Sequence, residues 1–303
     1  PPKNLEMRVT SPQVPVYKFY DASGTEITIV PTETGTGTGI WSYITDDVVA
    51  KLESTGHQET AVEVISALDL TDIKGAWMNC SGLTSFDTSG LTTVTDAYTA
   101  WAVCSGLTSF DASGLTSLIN ADRAWLECVG LTSFDTSELT AVTDITSAWG
   151  TCTGLTSFNA SGLTAVTTAV GAWITCTGLT HFDASGLTSV EDIGYAWKGC
   201  TGLTSFNASG LTSITTALNA WERTVSLICF NELNTLGVIT NNQTLWNTSL
   251  IAPNASEQTQ LKSAAGYNYV NPNPCPAPPP PPPPKNFEMK ITSPQVPVYR
   301  FYN

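Results

Sequence analysis

Cysteines, histidines, an acidic column and a hydroxyl column are the side chains of this sequence that could do chemistry. There are eight cysteines and two histidines. His57 and His181 lie far apart in sequence, give no zinc spacing and supply no obvious base for a catalytic triad. Cys80, Cys104, Cys128, Cys152, Cys176 and Cys200 recur every 24 residues. Cys229 and Cys275 stand outside that register. Asp87, Asp111, Asp135, Asn159, Asp183 and Asn207 form a column in the same step, and Thr84, Thr108, Thr132, Thr156, Thr180 and Thr204 form another.

The 24-residue step organises more than these groups. Trp77, Trp101, Trp125, Trp149, Trp173, Trp197 and Trp221 follow it, each preceded by Ala. Phe86, Phe110, Phe134, Phe158, Phe182 and Phe206 do the same. In the first coil the spacing of Ala76, Trp77 and Cys80, ahead of Gly82, predicts a short helix stopped by glycine. Leu83 and Phe86 predict a short strand, Ser89-Gly90 a turn, and Leu91 and Val94 a return to the core. One coil cannot bury a Trp, a Phe and two Leu alone, whereas stacked coils bury them together. The expected fold is therefore a repeat solenoid with a short helix and a short parallel strand per coil, rising ~4.8 Å per coil.

The pattern A-W-x-x-C-x-G-L-T-S-F-D-x-S-G-L-T-x-V over 77–238 resembles BspA-like leucine-rich repeats. It is most similar to their short bacterial surface-protein variant, with an aromatic-x-x-Cys-x-x-Leu core. Trp stands here where that variant uses Phe. The resemblance implies extracellular or surface display and adhesion, and it carries no catalytic residues.

Outside the coils, 3–40 reads as a β-rich module, with LEMRVTS, VPVYKFY and TEITIVPT as strands and a turn at 21–24. Residues 41–76 read as an N-terminal cap containing an amphipathic helix begun by Asp46 or Asp47. Residues 239–270 read as the C-terminal cap. Residues 271–284 are a Pro-rich linker, and its seven consecutive prolines predict polyproline II. Then 285–303, KNFEMKITSPQVPVYRFYN, repeats 3–21, KNLEMRVTSPQVPVYKFYD, at an offset of 282. Residues 1–2 match the end of that linker, so the chain reads as one period of a tandem array, with any targeting segment upstream.

These features set expectations for each group. The six in-register cysteines are expected as reduced core thiols, with Cys80–Cys104-type pairs as the alternative; parallel side chains hold the Cβ atoms too far apart for easy bridging. Cys229 and Cys275 are a candidate disulfide. The acidic column suits turn capping, with a calcium ladder as the alternative. The Thr column suits a solvated surface, with an ice-binding face as the alternative. Candidate glycosylation sites are Asn79, Asn159, Asn207, Asn242, Asn247 and Asn254. Candidate intermodule contacts are Val14, Val16 and Tyr17 with their repeats Val296, Val298 and Tyr299.

The net charge is −14 with 13% charged residues, so a basic surface for nucleic acid is missing. No run approaches the ~18–20 apolar residues of a membrane span. The expected function is a structural subunit of an extracellular fibre or surface appendage, with a cell-surface adhesin as the alternative. No enzymatic activity and no cofactor are expected. The expected partners are neighbouring modules head to tail, lateral chains and glycans.

Overall fold

The computed structural model describes residues 3–54 and 57–227, and the backbone of a last strand at 229–231. The whole of the expected C-terminal cap, the linker and the second copy of the β segment lie outside the described residues.

Seven strands precede the first coil. They are β1 (Leu5–Thr10), β2 (Tyr17–Tyr20), β3 (Glu26–Ile27), β4 (Thr32–Glu33), β5 (Ile40–Thr45), β6 (Lys51–Ser54) and β7 (Ala61–Ala67). Alternation dictates β1: Leu5, Met7 and Val9 point inward and are fully buried. It lies between β5 and β7, antiparallel to both. β2 lies between β3 and β6, also antiparallel. The core runs without a break from Leu5 to Leu227.

The amphipathic helix expected from Asp46 or Asp47 is corrected to strand β6. Its amides are claimed from outside the segment. Ala50 donates to the Tyr20 carbonyl at 2.9 Å and Leu52 to that of Asp72 at 3.1 Å. A helix would satisfy itself and leave the first coil without a neighbour.

Each coil then adds one short strand: β8 (Ser85–Asp87), β9 (Ser109–Phe110), β10 (Ser133–Phe134), β11 (Ser157–Asn159), β12 (His181–Asp183), β13 (Ser205–Asn207) and β14 (Cys229–Asn231). β7 pairs in parallel with β8, so the N-terminal strands seed this ladder. Among the later pairs, Phe158, Phe182, Phe206 and Phe230 align in register. A second ladder of single parallel bridges runs from Lys51 through Asp72, Asp96, Asn120, Asp144, Thr168 and Asp192 to Thr216.

The short helix expected in each coil is absent: the described residues contain no helix. Two left-handed residues flank each Trp at a distance of two. Around Trp101 they are Thr99 and Val103, and around Trp125 they are Arg123 and Glu127. Left-handed backbone costs an L-residue ~1–2 kcal/mol, so something must offset it. What offsets it is the next coil. Ile73, Gly75, Trp77 and Asn79 donate to the carbonyls of Asp96, Tyr98, Ala100 and Ala102 at 2.8–3.0 Å. The residues between them close three-residue turns within the coil: Ala76 to Ile73, Met78 to Gly75 and Cys80 to Trp77. Alternate amides therefore point along and across the solenoid, and a helix would point them all one way. The Trp–Cys spacing that suggests a helix is the spacing of these turns.

The aromatic columns fill the interior. Adjacent Trp rings lie 5.1–5.8 Å apart and within 11° of parallel. Within a coil each Trp meets its Phe edge-on at 4.6–4.8 Å. Both geometries suit the ring quadrupoles. The strand ladder is interrupted between β8 and β9 and between β10 and β11. Those are the places where Thr88 and Thr136 stand in a buried column otherwise held by alanine. The Ala160 and Ala184 amides donate to the next coil at 3.0 and 2.9 Å. Thr88 and Thr136 reach the equivalent carbonyls with their hydroxyls, at 2.9 and 3.0 Å.

Two substitutions test this packing. Trp149 lies between Trp125 at 5.3 Å and Trp173 at 5.7 Å, fully buried. Trp149→Ala is expected to lower stability by ~3–5 kcal/mol in urea denaturation; a loss below ~1 kcal/mol would contradict the stack. A Cβ on Gly162 would sit 1.7 Å from the Thr136 carbonyl oxygen. Gly162→Ala must therefore force two coils apart and is expected to cost ~1–3 kcal/mol, read as a lowered melting temperature. Glu138 fills the equivalent position one coil earlier, and nothing in the structure explains its tolerance there.

Candidate functional site

The cysteine column is buried and reduced. All six coil cysteines are free thiols. From the second coil on, each Sγ donates to the Trp carbonyl of the coil before it. Cys104 reaches Trp77 at 3.1 Å, and Cys128, Cys152, Cys176 and Cys200 repeat the bond at 3.0–3.2 Å. Burial pushes the Cys128 and Cys176 thiols well above their ordinary value. It pushes Cys152 and Cys200 up to about 12. These thiols stay protonated at neutral pH, which is the wrong state for a nucleophile.

Cys80 has no coil before it, and a different acceptor takes over. Its Sγ donates to the Glu59 carboxylate at 3.1 Å. Glu59 is 0% exposed, and it also accepts from the Tyr17 hydroxyl at 2.8 Å and from Ser54 at 3.2 Å. The Tyr17 oxygen in turn accepts from the Trp77 indole at 3.1 Å. His57 Nδ1 lies 3.9 Å from Cys80 Sγ. This network closes the first end of the Trp and Cys columns. Burial, and then the Glu59 charge, push the Tyr17 phenol well above its ordinary range. The Cys104 neighbour, then burial, then Glu59 do the same to Cys80. Among the described residues this carboxylate meets three donors and no Lys or Arg, which suits an organising group. Sequence reasoning missed Glu59. A single Glu before AVEVIS has no local signature, and its phenol partner lies 42 residues away.

The surface columns cap turns. The side chains of Asp87, Asp111, Asp135, Asn159, Asp183 and Asn207 each accept the amide two residues on, at 2.8–3.1 Å. Among the described residues no group of three His, Cys, Asp or Glu could hold a metal ion. In the Thr column, Thr84, Thr132, Thr180 and Thr204 bond the carbonyl one coil earlier at 2.9–3.1 Å. His181 meets the Thr180 hydroxyl at 2.9 Å.

The structure separates the other sequence-derived sites. Val14 and Val16 are 48% and 52% exposed, whereas Tyr17 is 9% exposed and belongs to the end network. Their repeats Val296, Val298 and Tyr299 lie outside the described residues. Asn79 is exposed with φ at 65°, and Asn159 is exposed on β11. Asn207 is half-buried, with its amide nitrogen on Asp183 at 2.9 Å. Asn242, Asn247 and Asn254 lie outside the described residues. Cys229 pairs by backbone with Ser205, and Cys275 lies outside. No helix among the described residues is long and apolar enough to cross a membrane.

No family model and no curated protein matches the chain. Solved structures that are similar in part include two leucine-rich repeat proteins. One is a leucine-rich repeat protein of T. pallidum, at 15% identity and a TM-score of 0.42, covering 57% of this chain and 85% of that one. The other is a leucine-rich repeat protein from Bacteroides ovatus, at 11% identity and a TM-score of 0.21, covering 69% and 88%. Likeness at this level says nothing about function.

The thiol column has a pH signature. Cys80, Cys128, Cys152, Cys176 and Cys200 have folded values above the unfolded thiol value of ~8.5. Folding thus favours the neutral form. That contribution is complete below ~8.5 and is lost as pH rises toward the folded values, at up to ~1.4 kcal/mol per unit per group. The urea midpoint is expected to fall between pH 8 and 10, and native protein at pH 8 to resist alkylation at these cysteines. A flat profile, or fast alkylation before unfolding, would overturn the assignment.

Proposed function

We propose that this chain is a structural subunit of an extracellular fibre or surface appendage, built from tandem modules of 282 residues stacked head to tail. The observation that carries this reading is a single core, continuous from the β strands through every described coil, in a chain that carries its first β segment twice. A stiff unit repeated at a fixed interval builds length. The near-identity of the coils supports the same reading. Their polar columns serve turns and ladders of the fold itself, and a specialised ligand site would need residues that break those columns on one face. No catalytic role and no cofactor enter this reading.

Its partners are neighbouring copies. Val14 and Val16 are exposed apolar side chains in the segment that returns after the linker. We assign them, with Val296 and Val298, to contacts between successive modules. Cys229 and Cys275 remain the proposed bridge between the last coil and the linker, and the exposed Asn79 and Asn159 the proposed glycan sites. In this reading the Pro-rich segment 271–284 is assigned the role of spacer between modules. Head-to-tail contacts of this kind are heterologous and generate open filaments.

The test is a protein of two consecutive units with the linker intact. Small-angle scattering and negative-stain images are expected to show a rod of defined length with the modules in fixed orientation. A freely jointed pair would overturn the fibre reading and favour a flexible surface adhesin.

A further inference from the structure

The coils are alike except on the turn side. Four positions there change from coil to coil: the third and second residues before each Trp, and the first and second after it. They read YT and AV around Trp101, DR and LE around Trp125, and TS and GT around Trp149. Around Trp173 they read VG and IT, around Trp197 GY and KG, and around Trp221 LN and ER. The second residue on either side of each Trp is left-handed. Glycine and asparagine take that backbone with least strain, and Gly75, Asn79, Gly171, Gly199 and Asn219 follow the rule. Val103, Arg123, Thr151, Thr175, Tyr195 and Arg223 do not. Glycine would make the same coil-to-coil hydrogen bonds without the strain. Side chains kept there against it point to work outside the coil.

The order of these side chains selects a partner. The two middle coils, around Trp149 and Trp173, carry no charge at the turn-side positions. Charge lies on both flanks: Asp122, Arg123 and Glu127 on one, Lys198, Glu222 and Arg223 on the other. A charge-poor centre with Tyr and Arg beside it is the composition of a protein interface. Consider two such faces set together about a two-fold axis crossing between the middle coils. The coils then meet in reverse order, the Trp149 coil on the Trp173 coil and the Trp125 coil on the Trp197 coil. Every glycine of the four inner coils meets a larger residue: Gly150 faces Ile174, Gly171 faces Ser147, Gly194 faces Asp122 and Gly199 faces Glu127. No charge faces its like. Arg123 faces Tyr195, the ring type it already covers in Tyr98 at 5.9 Å. Parallel order fails on both counts, because it sets Asp122 on Glu127 and Gly194 on Gly199.

We infer that the turn side of the solenoid is a contact surface for a second copy of this chain, paired antiparallel about the Trp149 and Trp173 coils. Such a contact is isologous, with the same patch used by both copies. Each step across it is held in register by the coil-to-coil hydrogen bonds, so the two rows of side chains keep one spacing. As the lateral contact of a fibre it rests on the reading above, but the pairing is measured on single chains.

The test uses the full chain. Sedimentation equilibrium over a dilution series is expected to show monomer and dimer in exchange. Thr175 is exposed at the centre of the face, and Glu127 fills the equivalent place two coils earlier, so the fold accepts a carboxylate there. Thr175→Glu sets two carboxylates beside the axis and is expected to raise the dissociation constant by ~10-fold or more at an unchanged melting temperature. Thr164→Glu, exposed away from the turn side, is expected to leave it unchanged. Leu126→Cys with Lys198→Cys places thiols opposite each other across the pair. In one chain the two positions are three coil steps of 5.3–5.7 Å apart, outside disulfide reach. Oxidation is expected to give dimers whose non-reduced peptides join 126 to 198. A monomer at every concentration, a dimer indifferent to Thr175→Glu, or links confined to 126–126 and 198–198 would each overturn the inference. A stiff two-unit rod that does not pair would leave the fibre reading standing and remove this contact; pairing by a freely jointed two-unit protein would do the reverse.

Discussion

Each coil of this protein depends on its neighbour for half of its turn-side backbone hydrogen bonds. Alternate amides around every Trp are aimed at the next coil, and this requirement shapes the rest. It forces left-handed backbone at positions such as Val103 and Thr151, where a β-branched residue would not otherwise sit. It keeps neighbouring coils in strict register, so the Trp and Phe columns stack and the cysteines find Trp carbonyls. It also explains why single coils cannot be stable, since their amides would have no acceptor.

The interior tolerates one recurrent cost. The indole N–H groups of Trp101, Trp125, Trp149, Trp173 and Trp197 are buried without a hydrogen-bond acceptor. An unmet buried donor costs ~1–3 kcal/mol. Burying a Trp removes ~150–250 Å² from water, worth ~4–6 kcal/mol at ~25 cal/mol per Å². The stack therefore wins at each step. At Trp77, where a coil-side neighbour is lacking, the indole is satisfied by Tyr17.

That difference shows what the N-terminal strands accomplish. A growing ladder ends in unpaired edges and half-covered rings. β7 supplies the strand that precedes β8, and Lys51 supplies the residue that precedes Asp72 in the second ladder. Glu59 replaces the missing Trp carbonyl as the acceptor for Cys80. The end of the solenoid is thus covered by antiparallel sheets whose outer members imitate a coil, and no separate helical lid is needed.

The sequence by itself determined the repeat, its 24-residue step and the columns that face inward; it left open whether the coil cysteines pair and whether the acidic column caps turns or binds calcium. The repeat and its columns follow from side-chain chemistry recurring at fixed spacing, which needs no knowledge of neighbours. It also showed the duplication of 3–21. The direction of backbone hydrogen bonds was decided by the tertiary structure alone. A three-residue spacing of Trp and Cys is equally consistent with a helix and with successive turns, and only the adjacent coil, 23 residues on, claims the alternate amides. The same holds for β6, an amphipathic segment that becomes a strand because Tyr20 and Asp72 present carbonyls to it. Glu59 and Tyr17 became a pair for the same reason: their partnership is made by the crossing of two sheets, and no local pattern encodes a contact made across so much intervening chain.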